Sequence, residues 1–263
     1  MKPFTYRELL PPPHLREHLL SYWEFTVHTV GAGGFVHHVW PDGRISLTVA
    51  ARRGTPVSVH LTGPTVAARQ VTVEDGVTVR GARFWPDAGG AVLGLDAESL
   101  RDGRAPAAEV LGATADVLAH VVASASDLER SGDIFSNVVA PIVRAAPPLD
   151  VHVRTMVRAI SASRGEISIA DLARSVGLSA RHLRRRFRRA VGLTPKEYAR
   201  VRRVRSAIGA VLSAEQETWS AIAAELGYTD QPHLIRDVAE LTGMTPLALR
   251  RRLAMIEHAS VTP

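Results

Sequence analysis

Cysteine is missing altogether from the 263 residues. Disulfides, thiolate nucleophiles and zinc sites with Cys ligands are thereby excluded, and a reducing compartment is the natural setting. Lysine is nearly missing as well. Only Lys2 and Lys196 are present, so arginine supplies thirty of the 32 basic side chains, and a single arginine cluster means little by itself. No segment approaches the ~20 consecutive apolar residues of a membrane span. The opening MKPFTYRELLPPPHLREHLLSYW has no apolar run leading to a cleavage signal, which points to the cytoplasm. Aromatics are scarce at 5%, yet three of the four tryptophans (Trp23, Trp40 and Trp85) fall within the first 86 residues.

The charge is unevenly divided. Residues 1–150 carry 13 Lys/Arg against 16 Asp/Glu, a balance of −3, whereas residues 151–263 carry 19 against 10, a balance of +9. A polyanionic partner for one half only is the simplest reading, with a segment border near the Pro-rich APPLD at 146–150.

The densest cationic stretch is SARHLRRRFRRAVGLTP, 179–195, with six arginines in the nine positions from Arg181 to Arg189. Wound at 100° per residue, Leu183, Phe187, Ala190 and Val191 share one arc, while Arg181, Arg184, Arg185 and Arg188 line the neighbouring flank. Ser179 stands at an N-cap position, Gly192 at a C′ position, and Pro195 opens the next helix. The segment before it, SIADLARSVG, places Ile169, Leu172, Ala173 and Val176 at i, i+3, i+4 and i+7 and ends on Gly177. Two short helices meeting at a glycine, the second one basic, form a helix-turn-helix pattern.

The layout returns about fifty residues later. TWSAIAAELGY repeats the apolar offsets with Trp219, Ile222, Ala223 and Leu226, and Leu234 and Val238 take the places of Leu183 and Phe187 in a helix from about 230 to 241. GMTP at 243–246 answers GLTP at 192–195. Between the copies, PKEYARVRRVRSAIGAVL reads as a connecting helix of about 27 Å, with Tyr198, Val201, Val204, Ile208 and Val211 or Leu212 inward. Its Arg200, Arg202, Arg203 and Arg205 are free to touch phosphate or to face water.

On IADLARSVGLSARHLRRRFRRAVGLTPKEYAR and IAAELGYTDQPHLIRDVAELTGMTPLALRR, the basic half resembles the reading module of the AraC-type transcriptional regulators, with 152–163 as a leading helix. The resemblance implies double-stranded DNA as partner, and RNA polymerase too if the protein activates. It places Arg181, Arg184 and Arg185 of the first unit and Gln231, Pro232, His233 and Arg236 of the second at base-facing positions, with Ser179 and Arg188 as further contacts. Leu234 and Val238 stand where the family usually has aromatics. Asp237 and Glu240 bring negative charge to the second reading helix, so the first unit is expected to supply most of the affinity. Related modules also occur in repair proteins that move alkyl groups onto cysteine. That chemistry needs a thiolate this chain lacks.

The acidic half reads as β-rich over 20–86, in short alternating runs separated by GAGG, PDG, RRGTP and EDG, and as helical from 88 to 143. The expected architecture is thus α+β. A small cupin-like sandwich or barrel with trailing helices occupies 1–145, and an all-α double helix-turn-helix domain occupies 150–263. In WPDGRISLTV, LTGP and GARFWPDAGGAVLGL it also resembles one type of N-terminal domain found in effector-binding AraC-type regulators. Trp40 with His38, and Trp85 with Arg83, share strand faces and are the candidate effector-binding side chains. Packing of the same tryptophans in a closed core, with dimerisation as the domain's task, is the other reading. Adjacent His37 and His38 point to opposite faces and the metal-cupin ligand set is missing, so no metal, cofactor or catalytic residue is expected. A nonspecific architectural DNA binder and a cupin-type enzyme fused to a DNA module are the alternatives to an effector-responsive regulator.

Overall fold

The computed structural model describes residues 2–28, 34–175, 177, 179–213 and 218–260. Its first half contains β1 (Phe4–Leu9), β2 (Leu19–Val27), β3 (Phe35–Val39), β4 (Ser46–Ala51), β5 (Ser58–Thr62), β6 (Arg69–Val73), β7 (Thr78–Phe84), α1 (Gly89–Leu93), β8 (Arg104–Pro106), α2 (Ala108–Leu111), α3 (Thr114–Ala123) and α4 (Leu128–Ala145). The second half contains α5 (Val151–Ala162), α6 (Ile169–Ser175), α7 (Ala180–Val191), α8 (Pro195–Ser213), α9 (Trp219–Glu225), α10 (Gln231–Thr242), α11 (Pro246–Ala254) and β9 (Ile256–Ser260).

Among the described residues the strands form a seven-stranded sheet of order β8-β5-β4-β7-β2-β1-β9 and a separate ribbon, β3-β6. Helices α3 and α4 pack on the sheet, enclosing Leu47, Val49, Leu61, Ala82 and Phe84 with Leu118, Val122, Phe135 and Val139. The ribbon closes a smaller cluster in which His37 lies 4.5 Å from the Phe25 ring. The stretch expected to be β-rich from its alternation, 20–86, holds the six strands β2 to β7. β1 and β8 add to them, and the helical stretch 107–129 divides at Gly112 into α2 and α3.

The expectation of an all-helical segment from 150 to 263 needs correction at its far end. β9 leaves the reading module and pairs in parallel with β1, from Phe4↔Ile256 to Glu8↔Ser260. The outer edge of β1 would otherwise present unpaired amides and carbonyls, and β9 satisfies them.

The two helix-turn-helix units share one core. Leu172, Ala173, Leu183 and Phe187 join Tyr198, Val201, Val204, Ile208 and Val211 of α8 and Ile222, Leu234 and Val238 of the second unit. Leu212 is exposed. The inward position expected for Val176 lies outside the described residues. The N-cap read at Ser179 and the stops read at Gly192 and Gly243 form, and Asp230 adds a second N-cap. Ser179 accepts from His182 N at 3.3 Å, Asp230 from His233 N at 2.7 Å, and Gly192 and Gly243 end their helices with φ of 78° and 69°. At the start of α8, Thr194 and Glu197 form a reciprocal capping box, with Thr194 N donating to Glu197 at 2.8 Å and Glu197 N to Thr194 Oγ1 at 3.2 Å.

Gly192 is needed twice over. Its φ is left-handed, and a Cβ there would stand 2.5 Å from Pro64 Cγ and 2.6 Å from Ala97 O. Gly192→Ala is expected to lower stability by more than about 1 kcal/mol, the cost of the backbone conformation alone. Urea unfolding of the full chain measures it, and an unchanged midpoint would contradict the close approach of α7 to residues 64 and 97.

Candidate nucleic-acid interface

Helix α7 buries Leu183, Phe187 and Val191 and turns the opposite side to water. Arg181, Arg184, Arg185 and Arg189 are exposed there, and no carboxylate lies within ion-pair distance of any of them among the described residues. Arg185 comes no closer than 3.5 Å to His182 Nδ1. The remaining two arginines of the run are taken by other elements. Arg186 Nε donates to Asp150 at 2.7 Å, and Arg188 Nη2 meets Glu98 Oε1 at 2.5 Å. Arg188 thus belongs to the basic flank by spacing but is held by the first half of the chain. Arg189, which the helical-wheel reading left out, is free.

On α10, Pro232 and Arg236 are exposed, Gln231 accepts a hydrogen bond from Ser220, and His233 stands edge-on to Tyr228 at 5.1 Å. The acidic residues do not act as expected. Arg200 of α8 donates to Asp237 at 2.8 Å and also holds Glu240, whose pKa the Arg200 hydrogen bond lowers. Arg200 offsets one of their two charges within the module, so repulsion of phosphate by Glu240 is weaker than its position in the sequence implies.

The other arginines of α8 are likewise not part of a phosphate-facing row. Arg203 donates to Gly165 O at 2.9 Å and lies over the Tyr228 ring at 5.1 Å. Arg202 and Arg205 face the β-domain, in the electrostatic neighbourhood of Asp42 and Arg44. Both are half-buried, because the β-domain packs where a free rod would be fully solvated.

That packing is extensive. Arg101 forks onto Glu197 at 2.8 and 3.1 Å, Arg154 reaches Asp87 at 3.3 Å, and Ala68 N donates to Leu241 O at 2.7 Å. Arg252 of α11 is almost wholly buried. It donates to Val36 O, lies 3.3 Å from His38 Nδ1 and covers the Phe35 ring at 4.1 Å. These contacts link residues far apart in the chain, and no local pattern signals them. The capping box at 194–197 was legible as Thr-x-x-Glu.

The four candidate effector residues do not meet. His38 touches Arg252 and Gln70, Trp40 packs against the reading-module core, Trp85 Nε1 donates to Arg16 O at 2.9 Å beside the sheet core, and Arg83 lies in an ion cluster with Glu8 and Asp42. Their shared strand faces belong to two separate sheets, so the expected aromatic pocket is not assembled. An open groove of about 360 Å³, lined by Phe35, Met244, Leu247, Arg251, Arg252 and Met255, includes none of them.

A family model described as a helix-turn-helix domain matches residues 172–252, and one described as a domain of unknown function (DUF6597) matches residues 7–106. No curated protein matches the chain. Among solved structures, the C-terminal domain of AraT, a response regulator from Geobacillus stearothermophilus, is 21% identical, covering 40% of this chain and 88% of its own, with a TM-score of 0.37. A transcriptional regulator from Chromobacterium violaceum, of the AraC-type DNA-binding domain-containing proteins, is 26% identical over 39% of this chain and 92% of its own, with a TM-score of 0.36. ToxT from Vibrio cholerae is 12% identical over 96% of this chain and 97% of its own, with a TM-score of 0.43.

The helix-turn-helix match, laid over two capped units with an exposed cationic front, supports a DNA-binding transcription regulator. Residues 172–252 match as a helix-turn-helix domain, two units joined by α8, and the DUF6597 match precedes it. No helix among the described residues is long and apolar enough to cross a membrane.

Arg184→Ala or Arg185→Ala is expected to weaken binding to a preferred duplex by about 1–3 kcal/mol, and Arg203→Ala to leave the salt slope of binding unchanged. Fluorescence anisotropy over a salt series reads both, and a shallower slope for Arg203→Ala would return α8 to the DNA face.

Glu197 supplies a second check, through pH. Burial opposes its charge, but hydrogen bonds from Arg101 and Thr194 outweigh this and draw its pKa from 4.5 down to about 2. The stability it contributes is whole above about pH 4.5 and disappears as the pH falls through 2. Glu197→Gln should therefore be less stable than the parent at pH 7, with the difference closing on acidification. A difference that persists to pH 2 would deny the carboxylate its role.

Proposed function

We propose that the protein is a sequence-specific transcription regulator of bacterial type, acting in the cytoplasm, whose first domain makes DNA reading conditional on an effector or on pairing with a second copy. One observation carries the DNA part. In a chain where carboxylates, carbonyls and aromatic rings hold many of the arginines, Arg181, Arg184, Arg185 and Arg189 of one helix have no carboxylate or carbonyl partner among the described residues, and Arg185 reaches only His182, at 3.5 Å. Helix α8, 19 residues and therefore about 28 Å long, joins the two units, a length comparable to the ~34 Å between successive major-groove faces. The conditional part is supported by the grip of the first domain on both units, through Glu98 on α7 and through Ala68 and β3 on the second unit.

Footprinting on genomic fragments with excess competitor tests the first claim. A defined protected site supports it, and uniform protection would make the protein an architectural binder. Glu98→Gln tests the second. Freeing Arg188 should tighten DNA binding and steepen the salt slope by nearly one phosphate, about 0.9. Unchanged affinity and slope would mean that Glu98 does not restrain the reading helix.

A further inference from the structure

Helix α11 uses one side for packing and leaves the other open. It buries Leu249, Arg252 and Leu253, whereas Leu247 is 60% exposed. Arg251 stands one turn on from Leu247, exposed on the same face. Along this face runs the open groove of about 360 Å³, bounded by Phe35 of β3 and by Met244, Leu247, Arg251, Arg252 and Met255. Among the described residues no carboxylate lines it.

The positive charge of the groove is therefore unanswered. Neither Arg251 nor Arg252 has a carboxylate within ion-pair distance among the described residues. Arg252 is only 8% exposed. It donates to Val36 O, lies 3.3 Å from His38 Nδ1 and covers the Phe35 ring at 4.1 Å, while its Nη1 is sealed from solvent without an acceptor. The carbonyl and the ring carry no charge, and burial keeps the imidazole from taking one by lowering its pKa. Burial lowers the pKa of Arg252 as well, yet a guanidinium keeps its proton. One full charge thus lies beneath the floor of the groove and a second stands at its rim.

The rest of the lining says what kind of occupant brings the missing negative charge. Phenylalanine, methionine and arginine are enriched where proteins meet, and methionine adapts its shape to what it touches. A duplex offers phosphate and sugar on its outside and would leave the apolar floor uncovered. A free inorganic anion would use the arginines alone. Only a segment that is both apolar and acidic answers Leu247, Met244 and Met255 together with Arg251 and Arg252.

We propose that this groove docks an acidic, amphipathic segment of another protein, its apolar side chains on Phe35, Met244, Leu247 and Met255 and its carboxylates toward Arg251 and Arg252. β3 comes from the first domain and α11 from the reading module, so a docked segment touches both and holds them as they stand. The proposal goes beyond DNA reading and needs no small-molecule effector.

A random dodecapeptide library displayed on phage, depleted on Leu247→Asp and then selected on the immobilised full chain, supplies the probes. Fluorescence anisotropy of the enriched peptides measures their binding. Enriched sequences should combine Leu, Phe or Trp with Asp or Glu. Their Kd should rise at least tenfold in Leu247→Asp and, independently, in Arg251→Glu. Both positions are exposed, so the urea midpoint of each variant should stay that of the parent. Replacing the acids of a peptide by Lys should abolish binding to the parent and restore part of it in Arg251→Glu. The double variant Arg184→Ala, Arg185→Ala should bind the peptides as the parent does. The proposal is overturned if depletion leaves no enriched sequence, if the enriched peptides lack carboxylates or ignore Arg251→Glu, or if binding is lost with the α7 arginines instead. Two further results would also defeat it. A parent that self-associates in sedimentation, beside a Leu247→Asp variant that does not, would give the groove to a second copy of this chain. A shallower salt slope of duplex binding in Arg251→Gln would give it to DNA.

Discussion

A guanidinium keeps its charge at any physiological pH, so each arginine taken out of water must be given an oxygen or an aromatic face. With thirty arginines and little else basic, this chain meets that demand over and over, and the fold is organised by how it does so. Arg80 shows the pattern. It bonds Glu24 at 2.7 Å and the carbonyls of Val122 and Ala125 at 2.9 and 3.0 Å, closing the end of α3 onto the sheet. Arg101, Arg154, Arg200 and Arg252 do the same between segments far apart in the chain. Little of the net stability comes from such pairs, since desolvation offsets much of the attraction. What they impose is geometry, because removing one partner strands a charge.

The same constraint sorts the side chains by task. On α7 one helix carries both outcomes. Arg186 and Arg188 are held by Asp150 and Glu98, while their neighbours on the exposed flank stay in water. Along α8, Arg200 pairs with the acids of α10, Arg203 closes on a carbonyl and a ring, and Arg202 and Arg205 are left facing the sheet. A row of similar letters in the sequence becomes three different environments in space.

The reading module was legible because its determinants are local. Apolar spacing, Ser179 as a cap, and glycines at 192 and 243 act within a turn or two, and each forms as expected. The β-domain was legible only strand by strand. Alternation identified β2 to β7 but not which strands pair. His38 and Trp40 were therefore grouped with Arg83 and Trp85, although β3 lies in the ribbon and β7 in the large sheet. β1 and β9 are short, and β9 is stabilised by a partner some 250 residues away. The contacts that join the halves, Arg154 with Asp87 and Arg101 with Glu197, span 67 and 96 residues and leave no periodic trace.

The pairing of β9 with β1 has a mechanical side. The helical module is anchored at its beginning by the extended stretch 146–150 and at its end by a strand built into the neighbouring sheet. A body fixed at one point can tumble. Fixed at two, it keeps only rotation about the line between them. The chain link and β9 alone would leave the helices one rotation relative to the sheet, and the contacts of Arg101, Arg154 and Arg188 across the halves oppose it. A contact resists such a rotation more the farther it lies from the axis.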